Sequence, residues 1–225
     1  MRPPGMFRRI WANRTRGVTA FLAVALAVHV ALLVLGAFAP RLAGAAYDWA
    51  GLVPERVWTR PWTLATMVLL HDRRDLLHIL FNVLALFSLG PWVERALGTA
   101  RFARLFAIAA LAGSAAFVLV QYVAGTPGVM AIGASGAVVG VLTAFALLFP
   151  QAELRFFGLA PMRAANLIWL MLGIDAVMLV FGASVAVSVH VGGMLGAFAY
   201  LRRPWRPAYI RDLRRRLARL RSRLS

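Results

Sequence analysis

The sequence has no cysteine and no lysine, and its 8 acidic residues are few beside 25 basic residues, all of them arginine. Without cysteine the chain cannot form a disulfide framework, a thiol nucleophile or a thiolate metal site. Polar residues are scarce as well, because 61% of the 225 residues are hydrophobic. A soluble domain of this length could not bury so much apolar surface, so the composition predicts an integral membrane protein.

The arginines are unevenly distributed along the chain. A net charge of +17 would also suit a nucleic-acid-binding protein, but the arginines flank apolar segments. This arrangement favours a topology signal, and we expect no nucleic-acid partner. Counted on alternate sides of the predicted spans, 20 arginines share the side of the N-terminus and five lie on the other side. The positive-inside rule therefore predicts cytoplasmic termini, and the all-arginine basic complement fits a bacterial plasma membrane.

Six apolar segments are long enough to be membrane spans, since a bilayer core about 30 Å thick needs roughly 20 residues of helix. We therefore expect an all-α membrane protein with six transmembrane helices. The predicted spans are residues 18–39, 76–92, 103–124, 128–149, 164–182 and 184–201. They divide the chain into a basic N-terminus (1–17), a membrane domain (18–201) and an arginine-rich tail (202–225). The tail is expected to form a helix on the membrane surface.

The long connection between the first two spans, residues 40–75, is expected on the outer side. It contains Trp49, Trp58 and Trp62, and tryptophan favours the headgroup layer of a bilayer. An ordered loop at the membrane interface is predicted.

Several polar residues lie inside the even-numbered spans, all of which begin at the outer face. At 1.5 Å of helix rise per residue, Asn82 and His190 each lie about 9 Å into their spans. His78 is one helical turn from Asn82 on the same face, and Ser135 follows seven apolar residues of span four. Polar groups are costly inside a membrane unless they have partners or a function, so these four residues predict a functional site near the outer face.

The residue types suit acyl transfer. Gly133 and Gly136 flank Ser135 and would suit a helix that starts within the membrane, where the first N–H groups have no intrahelical partner. Such donors can stabilise an oxyanion, and amide or histidine side chains can assist them. His190 is the obvious base for the Ser135 hydroxyl.

Taken together, these motifs resemble the rhomboid family of intramembrane serine proteases. GASG around Ser135 is similar to the G-x-S-G nucleophile motif of that family, and HILFN, from His78 to Asn82, is similar to its H-x-x-x-N element. VERALGTARF (93–102) and HVGGMLG (190–196, with Gly193) match further elements in order and in span number. The resemblance covers roughly residues 58–200 and implies a six-helix rhomboid-like bundle.

The resemblance also implies the chemistry. Ser135 would be the nucleophile and His190 the base, acting as a dyad, while His78, Asn82 and the backbone N–H of Ser135 would stabilise the oxyanion. The substrates would be transmembrane segments of other proteins in the lipid bilayer, and no cofactor or metal is implied.

Other interpretations of the same residues remain open. Gly136 and Gly140 form a small-xxx-small pattern that would also bring helices together. Asp175 could orient His190 as the third member of a catalytic triad, but we expect it to have a local structural partner instead. His71 is expected in a solvated loop, and His29 is expected to be a hydrogen-bonded core residue far from the other histidines.

Three other functions compete with the protease. A metal site built on His71, His78 and His190 is disfavoured because the H-E-x-x-H pattern of metalloprotease helices is absent. A rhomboid-like protein could bind transmembrane clients without cutting them. A six-span transporter would predict inverted repeats, which the sequence does not show.

Overall fold

The structure is a computed structural model, and it describes residues 15–154, 161–182, 184–202 and 218–219. Within these ranges the fold is built from helices. They are α1 (Arg16–Phe38), α2 (Pro40–Ala50), α3 (Thr63–Thr66), α4 (Leu76–Leu97), α5 (Thr99–Val123), α6 (Ser135–Leu148), α7 (Leu167–Val180) and α8 (Ser184–Leu201). Two short antiparallel strands, β1 (Glu153–Leu154) and β2 (Met162–Arg163), pair between α6 and α7. The predicted surface helix of the tail falls almost wholly outside the described residues.

Three of the helices in the described ranges, α1, α4 and α5, are long and apolar enough to cross a membrane. The helices α6, α7 and α8 are apolar but shorter. Each of the six predicted spans overlaps one of these six helices, and the six-span count stays a prediction. The 14 residues of α6 extend for about 21 Å, less than the thickness of a bilayer core.

The connection between α1 and α4 is ordered. It contains α2, α3 and single turns of 3₁₀ helix at Pro54–Arg56 and Met67–Leu69. The guanidinium groups of Arg56 and Arg60 both bind the carboxylate of Asp48, and Trp62 donates a hydrogen bond of 3.0 Å to the carbonyl of Trp49. The two arginines hold the pKa of Asp48 below its usual value. These contacts tie α2 to the turn that leads into α3.

Helix α4 positions two candidate site residues. The Asp75 carboxylate accepts a hydrogen bond of 3.0 Å from the Leu77 N–H, which satisfies one of the free donors at the helix start. His78 and Asn82 follow in the first two turns. At the other end of α4, the buried Glu94 carboxylate accepts hydrogen bonds from the N–H groups of Gly17 and Val18, each 2.8 Å long. The start of α1 is thereby anchored to the end of α4.

Small residues bring α5, α6 and α8 into backbone contact. A Cβ at Gly193 would overlap the carbonyl oxygen of Gly136, and a Cβ at Gly113 would stand 2.7 Å from the carbonyl oxygen of Val189. A Cβ at Gly140 would collide with the Cβ of Ala109. Lipid supplies little hydrophobic drive for helix association, so close packing of small residues is a main source of attraction. The packing expected from the glycine pattern is therefore present at this crossing.

Candidate active site

Ser135 is the first residue of α6, and the segment before it is held in an extended form. Leu52 and Ala131 exchange two backbone hydrogen bonds of 3.0 and 2.8 Å, and the Gly133 N–H donates to the carbonyl of Met67 at 2.9 Å. Gly133 has φ of +118°, a conformation that residues with a side chain rarely adopt. The chain thus runs along the ordered loop, turns at Gly133 and starts a helix at Ser135.

The first N–H groups of α6 are candidate donors for an oxyanion. The first hydrogen bond into this helix runs from the Val138 N–H to the Ala134 carbonyl, and Ala134 supplies no side-chain cap. The N–H groups of Ser135, Gly136 and Ala137 therefore precede the helical hydrogen-bond pattern. Such a row of donors beside a hydroxyl is the arrangement that stabilises the charge formed in acyl transfer.

His190 lies on α8, which crosses α6 close to Ser135. A Cβ at Gly136 would stand 3.0 Å from the carbonyl oxygen of Val189, so the neighbours of Ser135 and of His190 are in backbone contact. No hydrogen bond links the Ser135 hydroxyl to the His190 ring in the part of the chain that the structure describes. Catalytic hydrogen bonds often tighten only when substrate is bound, so this geometry does not exclude the pair.

Asp175 lies beside His190. Its Oδ1 is 2.7 Å from the His190 Nδ1, while the Asp175 side chain is only 4% exposed and the His190 side chain 16%. The partner of Asp175 is thus His190 on the next helix, whereas we expected a local structural partner. The sequence could not identify this partner, because α7 and α8 are separate helices whose relative rotation depends on packing.

His78 faces the turn before Ser135. A Cβ at Gly133 would stand 2.5 Å from the His78 Nε2, so the absence of a side chain at Gly133 makes room for this ring. Asn82 is 8% exposed, and its Nδ2 donates a hydrogen bond of 2.7 Å to the His78 carbonyl oxygen. One of the two amide N–H groups of Asn82 is thus engaged within α4, which leaves the other available.

Two further histidines extend this group. His29 is buried in the core as expected, but its neighbours and the burial of His71 were not predicted from the sequence. His71 is buried at 1% exposure rather than solvated, and its ring centroid lies 5.2 Å from that of His78. His29 lies 6.3 Å from His71, centroid to centroid, and is therefore not isolated. The His29 ring has no hydrogen-bond partner among the described residues, so the expected hydrogen bond of His29 is absent there.

Burial keeps His71 neutral. It lowers the pKa of His71 from 6.5 to about 4, because a charged imidazolium is poorly solvated in an apolar environment. The short separation of His71 and His78, seven residues, allowed their rings to be neighbours. The charged residues between them instead indicated that His71 is exposed to solvent. Within the described ranges, no group of three histidine or carboxylate side chains is arranged to hold a metal ion.

Comparison with known proteins identifies the family to which this chain belongs. A family model described as the rhomboid domain matches residues 59–205, which is more than half of the chain. The chain belongs to the rhomboid family. The matched rhomboid domain contains all the site residues described above except His29, which precedes it in α1.

Two curated relatives from Bacillus subtilis (strain 168) are similar to this rhomboid chain. Rhomboid protease GluP is 34% identical over 151 residues, which cover 65% of this chain and 26% of that protein. Putative rhomboid protease YdcA is 29% identical over 139 residues, covering 61% of this chain and 64% of that protein. The chain thus spans less than two thirds of the length of either relative. Family membership and the apolar helices together make it a membrane protein.

Proposed function

We propose that this rhomboid protein is an intramembrane serine endopeptidase that cleaves transmembrane segments of other membrane proteins near the outer face. The observation that supports this most strongly is the start of a buried helix at Ser135, in backbone contact with the helix that carries His190. The names of the relatives, both given as rhomboid proteases, agree with the proposal.

In the proposed reaction, His190 accepts the proton of the Ser135 hydroxyl through Nε2 while the serine oxygen bonds to the substrate carbonyl carbon. The N–H groups at the start of α6, assisted by His78 and Asn82, bind the oxyanion that forms. His190 then returns the proton to the leaving amine as the peptide bond breaks. Water, deprotonated by His190, releases the acyl group and regenerates Ser135.

The proposed cellular setting follows from the arginine distribution. Both termini would lie in the cytoplasm of a bacterial cell, with the chain in the plasma membrane and the site near the opposite face. A reporter fused to the C-terminus tests this orientation. A reporter found outside would put Ser135 at the wrong face and contradict the proposal.

The decisive experiment measures cleavage of a model transmembrane substrate in liposomes by the parent protein, Ser135→Ala and His190→Ala. Each substitution is expected to lower the rate about a thousandfold or more, because Ser135→Ala removes the nucleophile and His190→Ala removes its general base. Labelling of the parent by a serine-directed fluorophosphonate gives a second readout, and Ser135→Ala should abolish it.

Ser188→Ala is the matched control. Ser188 is a buried serine on α8 whose hydroxyl donates only to the Val185 carbonyl of its own helix, at 2.9 Å. Cleavage and labelling should be unchanged in this variant. If the parent neither cuts any substrate nor accepts the label, the protein is instead a rhomboid-like binder of transmembrane clients, the alternative that the missing Ser135–His190 hydrogen bond favours.

A further inference from the structure

We propose that Asp175 is a positioning residue for His190, so that this rhomboid protein works with a Ser135–His190–Asp175 triad. This inference rests on the proposed function, because it assigns a role within the same reaction. The carboxylate would select the tautomer of His190 and stabilise the imidazolium that forms when the ring takes the serine proton.

The position of Asp175 on α7 singles it out. Only three residues of α7 are buried, Leu167, Met171 and Asp175, and their spacing of four places them on one face of the helix. The residues beside this face, such as Ile174 at 50% exposure, point away from the protein. The buried residues of α7 are therefore two apolar side chains and one carboxylate, and that carboxylate contacts the proposed base.

The contact also bears on which ring nitrogen carries the hydrogen. In the proposed triad Asp175 is ionised, and an ionised carboxylate can only accept hydrogen bonds, so the Nδ1 atom of His190, 2.7 Å from Asp175 Oδ1, carries the hydrogen. In a neutral imidazole the other nitrogen, Nε2, then has its lone pair free. Nε2 is the atom that must accept the Ser135 proton, so Asp175 holds His190 in the reactive tautomer.

The charge of Asp175 adds an effect specific to the transition state. While His190 is neutral, the buried carboxylate has one hydrogen bond, and its Oδ2 has no partner among the described residues. When His190 takes the serine proton, an imidazolium and a carboxylate face each other at hydrogen-bond distance in a site of low dielectric constant. Their attraction exists only after proton transfer, so it lowers the barrier rather than stabilising the resting protein.

A purely structural role makes different predictions. If Asp175 only fastened α7 to α8, its replacement would lower thermal stability and leave the turnover of folded molecules and the tautomer of His190 unchanged. Three variants separate the possibilities: Asp175→Asn removes the charge, Asp175→Leu removes charge and hydrogen bond, and Asp175→Glu keeps a carboxylate on a longer side chain.

The kinetic test compares kcat and KM for a model transmembrane substrate in liposomes. Asp175→Asn and Asp175→Leu should lower kcat by about a hundredfold or more with KM nearly unchanged, since the charge pair forms only in the transition state. Asp175→Glu should recover part of the loss. Ile174→Ala is the control, because Ile174 is next to Asp175 but lies on the exposed face of α7; this variant should have the kcat and KM of the parent. A folded Asp175→Leu protein with parental kcat would overturn the proposal.

A second measurement does not depend on turnover. The chain has only 4 histidines, so nitrogen-15 labelling of histidine in the Ser135→Ala background gives a simple spectrum in detergent. His190 should carry its hydrogen on Nδ1, and this preference should disappear in Asp175→Leu. If the Nδ1–H form persists without the carboxylate, the assignment of Asp175 is wrong. A parent that cuts nothing would overturn the protease proposal alone, because the change of tautomer would still support the positioning of His190 by Asp175.

Discussion

Helices α6 and α7 each contain 14 residues and are almost entirely apolar, yet their environments are opposite. In α6, 11 residues are buried, including Gly136 and Gly140. In α7 only three are buried, and Trp169 is 73% exposed. Helix α6 carries small residues that let neighbouring backbones approach, whereas α7 carries large side chains on its exposed surface. The size of the side chains, more than their hydrophobicity, separates the two environments.

The largest effect is expected where the backbone of α8 crosses α6. In Gly193→Val the new side chain would occupy the space of the Gly136 carbonyl, and because backbone must move to admit it, we expect a loss of about 3 kcal/mol or more in stability. The variant should unfold at a lower temperature in detergent, and fluorophosphonate labelling of Ser135 should be weaker than in the parent.

Gly173→Val is the matched control for this substitution. A Cβ at Gly173 in α7 meets no atom within 4 Å, so stability should change by no more than about 0.5 kcal/mol. Equal effects of valine at Gly173 and at Gly193 would contradict the contrast between the two helices.

A smaller effect is expected at the turn that precedes α6. Gly133→Ala imposes a side chain at φ of +118° and brings its Cβ to 2.5 Å from the His78 Nε2. Strain of this kind costs about 1–3 kcal/mol. The displaced His78 should in addition lower kcat, measured with the model transmembrane substrate. A Gly133→Ala protein with parental stability and kcat would contradict this prediction, because it would show that the turn before α6 accepts a side chain.

A loss of stability of similar size is expected at the inner face of α7. Met171 is 9% exposed, and Met171→Ala would leave a gap between α7 and the core, costing about 2 kcal/mol. Thermal unfolding checks the value. Ile174→Ala, on the exposed face, should change the stability by less than about 0.5 kcal/mol. If both substitutions cost the same, α7 does not pack through one narrow face.

The site could be predicted only in part from the sequence. The sequence predicts Ser135, His190, His78 and Asn82 as site residues, because their motifs lie in apolar segments and polar residues in such segments indicate function; their roles stay a prediction. The partner of Asp175 could not be predicted from the sequence, since it depends on the rotation of α7 against α8. The same limit applies to His71, whose charged neighbours indicated a solvated loop although its own ring is buried.

The sequence by itself determined that this is a helical membrane protein, and its ordered motifs indicated the rhomboid family. Both properties follow from local sequence patterns, namely apolar segments of sufficient length and glycines beside one serine. The tertiary structure decided which polar groups meet. It brought Asp175 to His190 and His29 to His71, because contacts between separate segments depend on how side chains of different size let helices approach and rotate.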